Sequence, residues 1–167
     1  VVNAVLIDAV LAALKPVSTD VILEAFCGLG NFTLPLAKQV GSITALELSE
    51  SMLERAAEQA ERQSLTNITW LTANLEQFDS HRLNLPAANK LLLDPPRDGA
   101  QEFCKTVSWK GVERIVYVSC NPSTLARDAA ILAARGFLLH SIQFVDMFPQ
   151  TAHIEALAIF QWDESLL

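Results

Sequence analysis

Short apolar runs alternate with helical stretches along the whole chain, and this alternation is typical of a parallel α/β fold. Strands are predicted at residues 21–23, 43–46, 68–71, 90–93, 112–118, 137–145 and 154–160. The last two runs are joined by a short segment around Pro149, which is compatible with an antiparallel pair rather than another crossover. The pattern therefore predicts a mostly parallel sheet that ends in an antiparallel strand.

Helices are predicted between these runs. Apolar residues at positions 5, 6, 10, 11 and 14 indicate a first helix that ends near Pro16. A second helix is expected over 32–40, closed by Gly41, and a third after Ser49 or Ser51 with a charged outer face. A further helix is predicted from Pro122 to about Arg135, closed by Gly136, whereas 79–89 has no period and is expected to be a loop.

Composition narrows the class of protein. A chain of 167 residues with 51% hydrophobic residues can bury the core of one domain. No apolar run approaches membrane-spanning length, and no basic segment of a signal peptide precedes the first helix. Three Cys without a CxxC pair argue against a disulfide framework or a zinc site and favour the reducing cytoplasm. The net charge of −7 argues against autonomous binding of nucleic acid.

Cys120 lies between a predicted strand and a predicted helix, in the segment Ser119-Cys120-Asn121-Pro122. Asn121 is a favourable N-cap and Pro122 suits the first helical turn. In open α/β sheets, ligands bind at the carboxyl ends of the strands. Two interpretations follow and stay open on position alone: a reactive thiol at a site, or a buried packing cysteine.

A glycine loop, Cys27-Gly28-Leu29-Gly30-Asn31, follows the first strand and precedes a helix, as nucleotide-binding loops do. Glu47 ends the second strand and is placed to accept both hydroxyls of a ribose. The alternative is a simple tight turn. The third glycine of a dinucleotide fingerprint is replaced by Thr33, and the segment Asp94-Pro95-Pro96-Arg97 can hold a flat substrate, so S-adenosylmethionine is favoured over NAD.

Four segments together resemble the RNA (uracil-5-)-methyltransferases. They are residues 26–32, 94–100, 119–122 and 147–155, and the longer match over 116–128 is most similar to the 23S rRNA 5-methyluridine branch. The resemblance implies a Rossmann-like S-adenosylmethionine-dependent methyltransferase fold with a mostly parallel seven-stranded sheet and an antiparallel last strand. It also implies that 1–167 is a catalytic domain only, because family members carry an N-terminal RNA-binding region and some hold an iron–sulfur cluster there.

The resemblance also implies site residues. Cofactor contacts are expected from Phe26, Gly28, Gly30, Asn31, Glu47, Asn74 and Asp94. Cys120 is the implied nucleophile, which adds to uracil C6 and so activates C5, and Glu155 is the implied base that removes the C5 proton. From spacing alone, Glu155 would be interpreted as an exposed strand carboxylate. Glu24 stands where Asp is more usual in the family.

Substrate contacts are expected from Asp94, Arg97, Arg127 and His153. Arg127 could meet an RNA phosphate, pair with a nearby acid or lie on a solvated helix face. The target base must leave its stack, and Phe148 could stack on it. Cys27 and Cys104 are interpreted as packing residues, and no metal site is predicted in this chain because no ligand cluster occurs.

An RNA substrate, 23S rRNA in the first place, is the expected partner, with no membrane association. The alternatives are a tRNA uracil-5 methyltransferase, an amino-group nucleic-acid methyltransferase and a non-catalytic cofactor-binding module. Amino-group enzymes have an aromatic residue after Asp-Pro-Pro, where this chain has Arg97.

Overall fold

The computed structural model describes residues 2–79, 82–146 and 154–166. Within these ranges the strands are β1 Val21–Ala25, β2 Ser42–Glu47, β3 Ile68–Thr72, β4 Lys90–Leu93, β5 Arg114–Ser119, β6 Phe137–Asp146 and β7 Ile154–Trp162. The helices are α1 Val2–Leu14, α2 Thr33–Ala37, α3 Glu50–Arg62, α4 Gln101–Thr106 and α5 Pro122–Ala133, followed by a short 3₁₀ turn, Glu164–Leu166. No helix in the described ranges is long and apolar enough to cross a bilayer.

The strands form one sheet in the order β3-β2-β1-β4-β5-β7-β6. β7 is antiparallel to both of its neighbours, and the pairs from β3 to β5 are parallel. The prediction of a mostly parallel seven-stranded sheet with an antiparallel last strand is confirmed. The strand order reverses direction between β1 and β4, and open α/β sheets bind ligands at such a point, beside the carboxyl ends of the strands.

Helices cover both faces of the sheet. On one face, α4 and α5 bury large side chains that include Phe103, Tyr117 and Phe137. On the other face, α1, α2 and α3 pack Leu6, Leu36 and other apolar side chains against β1, β2 and β5. Parallel strands buried on both faces are apolar along their whole length, which explains why the runs in the sequence are continuous rather than alternating.

The helix starts agree with the predicted caps. Asn121 precedes α5, and its side chain accepts a hydrogen bond from the N–H of Ser123 over 3.0 Å, with Pro122 in the first turn. Ser49, rather than Ser51, caps α3 by accepting from the N–H of Met52 over 3.4 Å. The chain direction on entry to both helices is thus set by local sequence.

One helix prediction was wrong in its bounds, and one helix was not predicted. The helix expected over 32–40 is only Thr33–Ala37, because the side chain of Asn67 donates to the carbonyls of Ala37 and Val40 at 2.9 and 3.0 Å. These bonds satisfy the carbonyls from outside the helix, so the chain leaves the helix before Gly41. α4 was not predicted, since six residues without a side-chain cap give too little periodicity to detect.

Candidate functional site

The glycine loop between β1 and α2 turns sharply at the carboxyl edge of the sheet. Phe26 and Gly28 have φ values of 65° and 54°. A Cβ placed on Gly28 would meet no atom within 4 Å, so this part of the loop borders open space. Its backbone is therefore accessible to a ligand, as the sequence pattern predicts.

Glu47 is fixed by the backbone around it. Its Oε2 accepts the N–H of Gly28 over 3.1 Å, and its Oε1 accepts the N–H groups of Leu48 and Ser49 at 2.9 and 3.0 Å. A carboxylate offers about four lone-pair positions, so three backbone donors leave room for about one further donor. The predicted contact with both hydroxyls of a ribose would therefore have to share an acceptor oxygen with the backbone.

Two adjoining clefts open at this edge and share Phe26, Met52 and Asp94. The first has a volume of about 310 Å³, and its lining includes Glu47, Asn74, Leu75 and Pro96. The second, of about 740 Å³, lies along the glycine loop and includes Gly28, Gly30, Asn31 and Ile7. The structure thus brings together all seven residues for which cofactor contacts are predicted, although they come from four different segments of the chain. The contacts themselves stay predictions.

Both asparagines of the clefts are held in fixed orientations. The amides of Asn31 and Asn3 form a reciprocal pair, with bonds of 2.8 and 3.0 Å, so the start of α1 is tied to the glycine loop. The side-chain oxygen of Asn74 accepts the N–H groups of Glu76 and Gln77 at 3.0 and 3.3 Å. A ligand would meet amide groups that are already oriented.

Two carboxyl groups have raised pKa values: Asp94, which is half-buried and lines both clefts, and Glu24. Burial, with a smaller contribution from the negative charge of Glu155, raises the pKa of Asp94 from 3.8 to about 7. Glu24 in β1 is fully buried, and burial together with the charge of Asp94 raises its pKa from 4.5 to about 8. Neither carboxyl oxygen of Glu24 has a hydrogen-bond partner among the described residues. Both groups hold their protons at a pH where ordinary carboxyl groups have lost them.

Cys120 is exposed between the end of β5 and the start of α5, whereas Cys27 and Cys104 are buried. Burial raises the pKa of both buried thiols far above the usual range, which makes them unreactive packing residues, as predicted. The interpretation of Cys120 as a buried packing cysteine was wrong. Its backbone follows Ser119, whose Oγ accepts the N–H of Asn121 over 3.1 Å.

Glu155 and Cys120 both adjoin the last residue pair of the β5–β7 ladder. β5 and β7 pair antiparallel from Arg114 with Gln161 to Ser119 with Ala156. Cys120 directly follows Ser119, and Glu155 directly precedes Ala156. Glu155 is half-buried rather than a fully exposed strand carboxylate, and its charge acts on Asp94. The implied nucleophile and the implied base thus lie at the same end of this strand pair.

The predicted substrate residues differ in how the structure holds them. Arg97 is exposed in the loop after β4, and its carbonyl accepts from Asn121 and Thr124, each at 3.0 Å. Arg127 pairs with a nearby acid, as one of its three interpretations proposed: its Nε and Nη2 donate to Asp128, each at 2.9 Å. Contact of either arginine with RNA stays a prediction. His153 and Phe148 lie outside the described residues.

Sequence reasoning assigned no structural role to three residues near the site. Asn3 anchors α1 to the glycine loop, Glu24 places a fully buried carboxyl in β1, and Asp128 accepts from Tyr117 and Ala100, each at 2.6 Å. For two of these residues, the sequence itself contains a pattern that points to them. Glu24 interrupts an apolar strand, and Asp128 lies in the apolar stripe of α5 between Leu125 and Leu132. A charged residue in a buried row needs a partner or a function.

The family model of tRNA (uracil-5-)-methyltransferases matches residues 1–161 of the chain. Among curated relatives, a 23S rRNA (uracil(1939)-C(5))-methyltransferase RlmD from Hahella chejuensis is 42% identical over 165 residues, covering 96% of this chain and 37% of that protein. The RlmD protein of Pseudomonas entomophila is 44% identical over 161 residues, which cover 96% of this chain and 36% of that protein. The chain thus spans little more than a third of the length of these relatives.

Solved structures share the fold. The tRNA (uracil-54, C5)-methyltransferase of Pyrococcus abyssi, in complex with S-adenosyl-L-homocysteine, is 28% identical with a TM-score of 0.76, covering 92% of this chain and 37% of that one. TrmN from Thermus thermophilus is 22% identical with a TM-score of 0.75, and the match covers 95% of this chain and 48% of that one. The likeness to TrmN concerns the fold alone. The predicted Rossmann-like methyltransferase fold is confirmed.

Proposed function

Because this chain belongs to the tRNA (uracil-5-)-methyltransferase family, we propose that it is the catalytic domain of an enzyme that methylates uracil C5 in RNA. S-adenosylmethionine is the methyl donor in this proposal, and a covalent bond between Cys120 and uracil C6 activates the base. The observation that supports the proposal is the pairing of β5 with β7, which ends with Ser119 opposite Ala156 at the edge where the two clefts open. Cys120 and Glu155 directly adjoin this last pair.

The clefts support the choice of cofactor. Phe26, Met52 and Leu75 offer apolar surface, while the Glu47 carboxylate offers a charged acceptor for a hydroxyl. These are the groups that an adenosine moiety needs. Asp94 borders both clefts and would lie beside the cationic end of the cofactor. When bound, S-adenosylmethionine supplies an electrophilic methyl group for carbon 5 of the uracil.

Cys120 carries out the first covalent step. Its thiolate forms a bond to uracil C6, and the π electrons of the C5–C6 bond move into the carbonyl at C4, which leaves C5 nucleophilic. The exposure of Cys120 makes this attack possible, whereas Cys27 and Cys104 are buried and protonated. α5 begins two residues later, so Cys120 lies at the carboxyl end of β5 and just before a helix.

Glu155 completes the reaction once C5 carries its new methyl group. Its carboxylate takes the remaining proton from C5, the electrons restore the C5–C6 double bond, and the bond between C6 and the Cys120 sulfur breaks. The thiolate is thereby regenerated. Glu155 is half-buried, and its charge acts on Asp94, which lines both clefts.

The comparisons favour ribosomal RNA as substrate, since the relatives that are 42–44% identical are 23S rRNA enzymes and the tRNA enzyme is 28% identical. The exposed Arg97 after Pro96 supports a phosphate or carbonyl contact instead of the aromatic platform of an amino-group methyltransferase. Arg97, Arg127 and His153 remain the proposed RNA contacts. A cytoplasmic location follows if ribosomal RNA is the substrate.

The remaining length of the relatives suggests that residues 1–167 act as one domain within a longer enzyme. A net charge of −7 is unfavourable for holding RNA by this domain alone. We therefore expect RNA affinity to depend on the rest of the protein, while the chemistry belongs to this domain.

The full-length protein, labelled S-adenosylmethionine and unmethylated RNA test the proposal. We expect label in 23S rRNA, recovered as 5-methyluridine after nuclease digestion and mass spectrometry. Label recovered as an N-methylated nucleoside would contradict C5 methylation, and label in tRNA alone would transfer the proposal to that substrate. Binding of S-adenosylhomocysteine with no methylation of either RNA would favour a non-catalytic module.

A further inference from the structure

Asp128 joins three elements of the site with a single carboxylate. It is fully buried in α5. Its Oδ2 accepts the hydroxyl of Tyr117 in β5 and the N–H of Ala100 at the end of the loop after β4, each at 2.6 Å. Its Oδ1 accepts from Arg127 at 2.9 Å. A buried charge of this kind is stable only when donors surround it, and here they do.

Two consecutive residues of the loop after β4 are bonded to α5 and its N-cap. The carbonyl of Arg97 accepts from Asn121 and Thr124, and the carbonyl of Asp98 accepts from Arg127 over 2.7 Å. Gly99 follows these two residues. Gly99 has a φ of 80°, and a Cβ there would lie 2.6 Å from Oδ2 of Asp128. Only glycine permits this approach, so the backbone of the loop rests directly on the carboxylate.

These hydrogen bonds around Asp128 form one cluster, which lies on both sides of the reacting groups. In the chain, Cys120 lies between Tyr117 and Asn121, and the side chain of each donates one of these hydrogen bonds. Asp94 and Arg97 lie in the segment that ends at Ala100, where Asp128 accepts the N–H. The cluster therefore determines how far the thiol lies from the carboxyl and guanidinium groups of the neighbouring loop.

We propose that Asp128 is a positioning residue that holds the loop carrying Asp94 and Arg97 against the segment carrying Cys120. This inference rests on the proposed function, since it assigns a reaction to Cys120. A loss of alignment of about 1 Å can reduce the rate of an enzyme by about 100-fold. Substitution in this cluster therefore lowers kcat, whereas the clefts around Phe26 and Glu47 keep their affinity for the cofactor.

The chain offers a matched control. Asp20 is also a buried carboxylate, and it accepts from Lys90, Asn89 and the N–H of Val17 at 2.7, 2.8 and 2.8 Å. It lies just before β1, at the opposite edge of the sheet from the site. Asp20→Asn and Asp128→Asn thus remove comparable buried charges, and only the second removes one at the site.

The test measures kcat, KM for S-adenosylmethionine and amide hydrogen exchange in full-length wild type, Asp20→Asn, Asp128→Asn and Tyr117→Phe. We expect the two cluster variants to lose about tenfold or more in kcat, with KM for the cofactor within about twofold of wild type. We expect the amide hydrogen of Ala100 to exchange faster in Asp128→Asn and Tyr117→Phe than in wild type. Asp20→Asn is expected to lower Tm and leave kcat unchanged. Tyr117→Phe decides the matter if Asp128→Asn does not fold.

Two results would overturn the inference. Exchange at Ala100 equal to that of wild type would show that Asp128 does not hold the loop, and this readout needs no RNA and no activity. Faster exchange with unchanged kcat would show that the cluster only stabilises the fold. By contrast, a wild-type enzyme that methylates no uracil would refute the proposed function and leave the exchange result to judge the cluster by itself.

Discussion

The backbone N–H of Gly28 donates to Oε2 of Glu47 over 3.1 Å and so joins the glycine loop to the carboxyl end of β2. The same carboxylate accepts two further N–H groups through Oε1. One side chain thereby fixes the shape of the loop and presents a negative charge to the smaller cleft. Substitution of Glu47 should therefore change both the shape of the glycine loop and the charge at the smaller cleft.

Glu47→Gln should weaken cofactor binding by about 10- to 100-fold. Glutamine has one acceptor oxygen, and its amide nitrogen would face the N–H of Gly28 or Leu48 as a second donor. Loss of a charge-assisted hydrogen bond costs roughly 1.5–3 kcal/mol. Calorimetry with S-adenosylhomocysteine on the full-length protein measures the change. Glu58→Gln, on the exposed face of α3, is the control and should bind as wild type does; equal affinity for both variants would contradict the role of Glu47.

Asp94 should make cofactor affinity depend on pH. Its pKa of about 7 means that Asp94 is mostly neutral at pH 6 and mostly ionised at pH 8. S-adenosylmethionine carries a positive sulfonium charge that S-adenosylhomocysteine lacks. Ionisation of Asp94 should therefore increase the affinity for S-adenosylmethionine only. We expect the preference for S-adenosylmethionine to increase several-fold from pH 6 to pH 8, as measured by calorimetry at both values.

Two variants check the assignment to Asp94. Asp94→Asn should abolish the pH dependence of the preference. Glu155→Gln removes a negative charge near Asp94, so it should lower the pKa of Asp94. The increase in preference for S-adenosylmethionine should then occur at lower pH. A preference that does not vary between pH 6 and pH 8 in wild type would show that the charge of Asp94 does not reach the sulfonium.

Glu24 should destabilise the fold as the pH rises. The unfolded chain loses this proton near 4.5 and the folded chain near 8, so between these values the folded state binds more protons. The free energy of unfolding therefore falls from pH 4.5 to pH 8 and the loss is complete above that. Glu24→Gln mimics the protonated form. Its Tm should match wild type at pH 5 and exceed it by roughly 5 °C at pH 8.

Thermal melts of full-length wild type and Glu24→Gln at both pH values measure this difference. Glu113→Gln, an exposed carboxyl just before β5, serves as the control and should follow wild type at each pH. A Tm difference between Glu24→Gln and wild type that is the same at pH 5 and pH 8 would mean that Glu24 is ionised in the folded protein.

Glu155→Gln should trap the reaction after methyl transfer. Glutamine cannot take the C5 proton, so the bond between Cys120 and C6 cannot break. We expect the full-length variant to form a covalent complex with ordinary unmethylated RNA, visible as a retarded band on a denaturing gel, while wild type forms little. Asp146→Asn, an exposed carboxyl on the neighbouring strand, should behave as wild type does. Turnover at the wild-type rate by Glu155→Gln would exclude it as the base.

Local sequence was sufficient for most of the fold. β4 was predicted at the bounds Lys90–Leu93 that the structure has, and the caps Ser49 and Asn121 lie where side-chain chemistry requires them. The early end of α2 was not predictable, because it depends on Asn67, which is 30 residues away from Ala37. Local patterns cannot report a bond between distant segments.

The position of the predicted site residues at one edge of the sheet followed from the sequence, whereas their pKa values did not. The segments around Gly28, Glu47, Asp94 and Cys120 all end strands, and parallel strands bring those ends to one edge. The raised pKa values of Asp94 and Glu24 arise chiefly from burial, which depends on the packing of the folded chain. The role of Asp128 depends on a close approach at Gly99 that only the folded chain shows.

Covalent trapping on RNA that contains 5-fluorouridine tests the central claim most directly. Fluorine takes the place of the C5 hydrogen, and because a base cannot remove fluorine as it removes a proton, the bond to C6 persists. The full-length wild type and Cys27→Ala should form a stable adduct in the presence of S-adenosylmethionine, and Cys120→Ala should form none. Mass spectrometry should locate the nucleotide on Cys120. A methylation-competent wild type that forms no adduct, or an adduct that survives in Cys120→Ala, would contradict the proposal that Cys120 is the nucleophile.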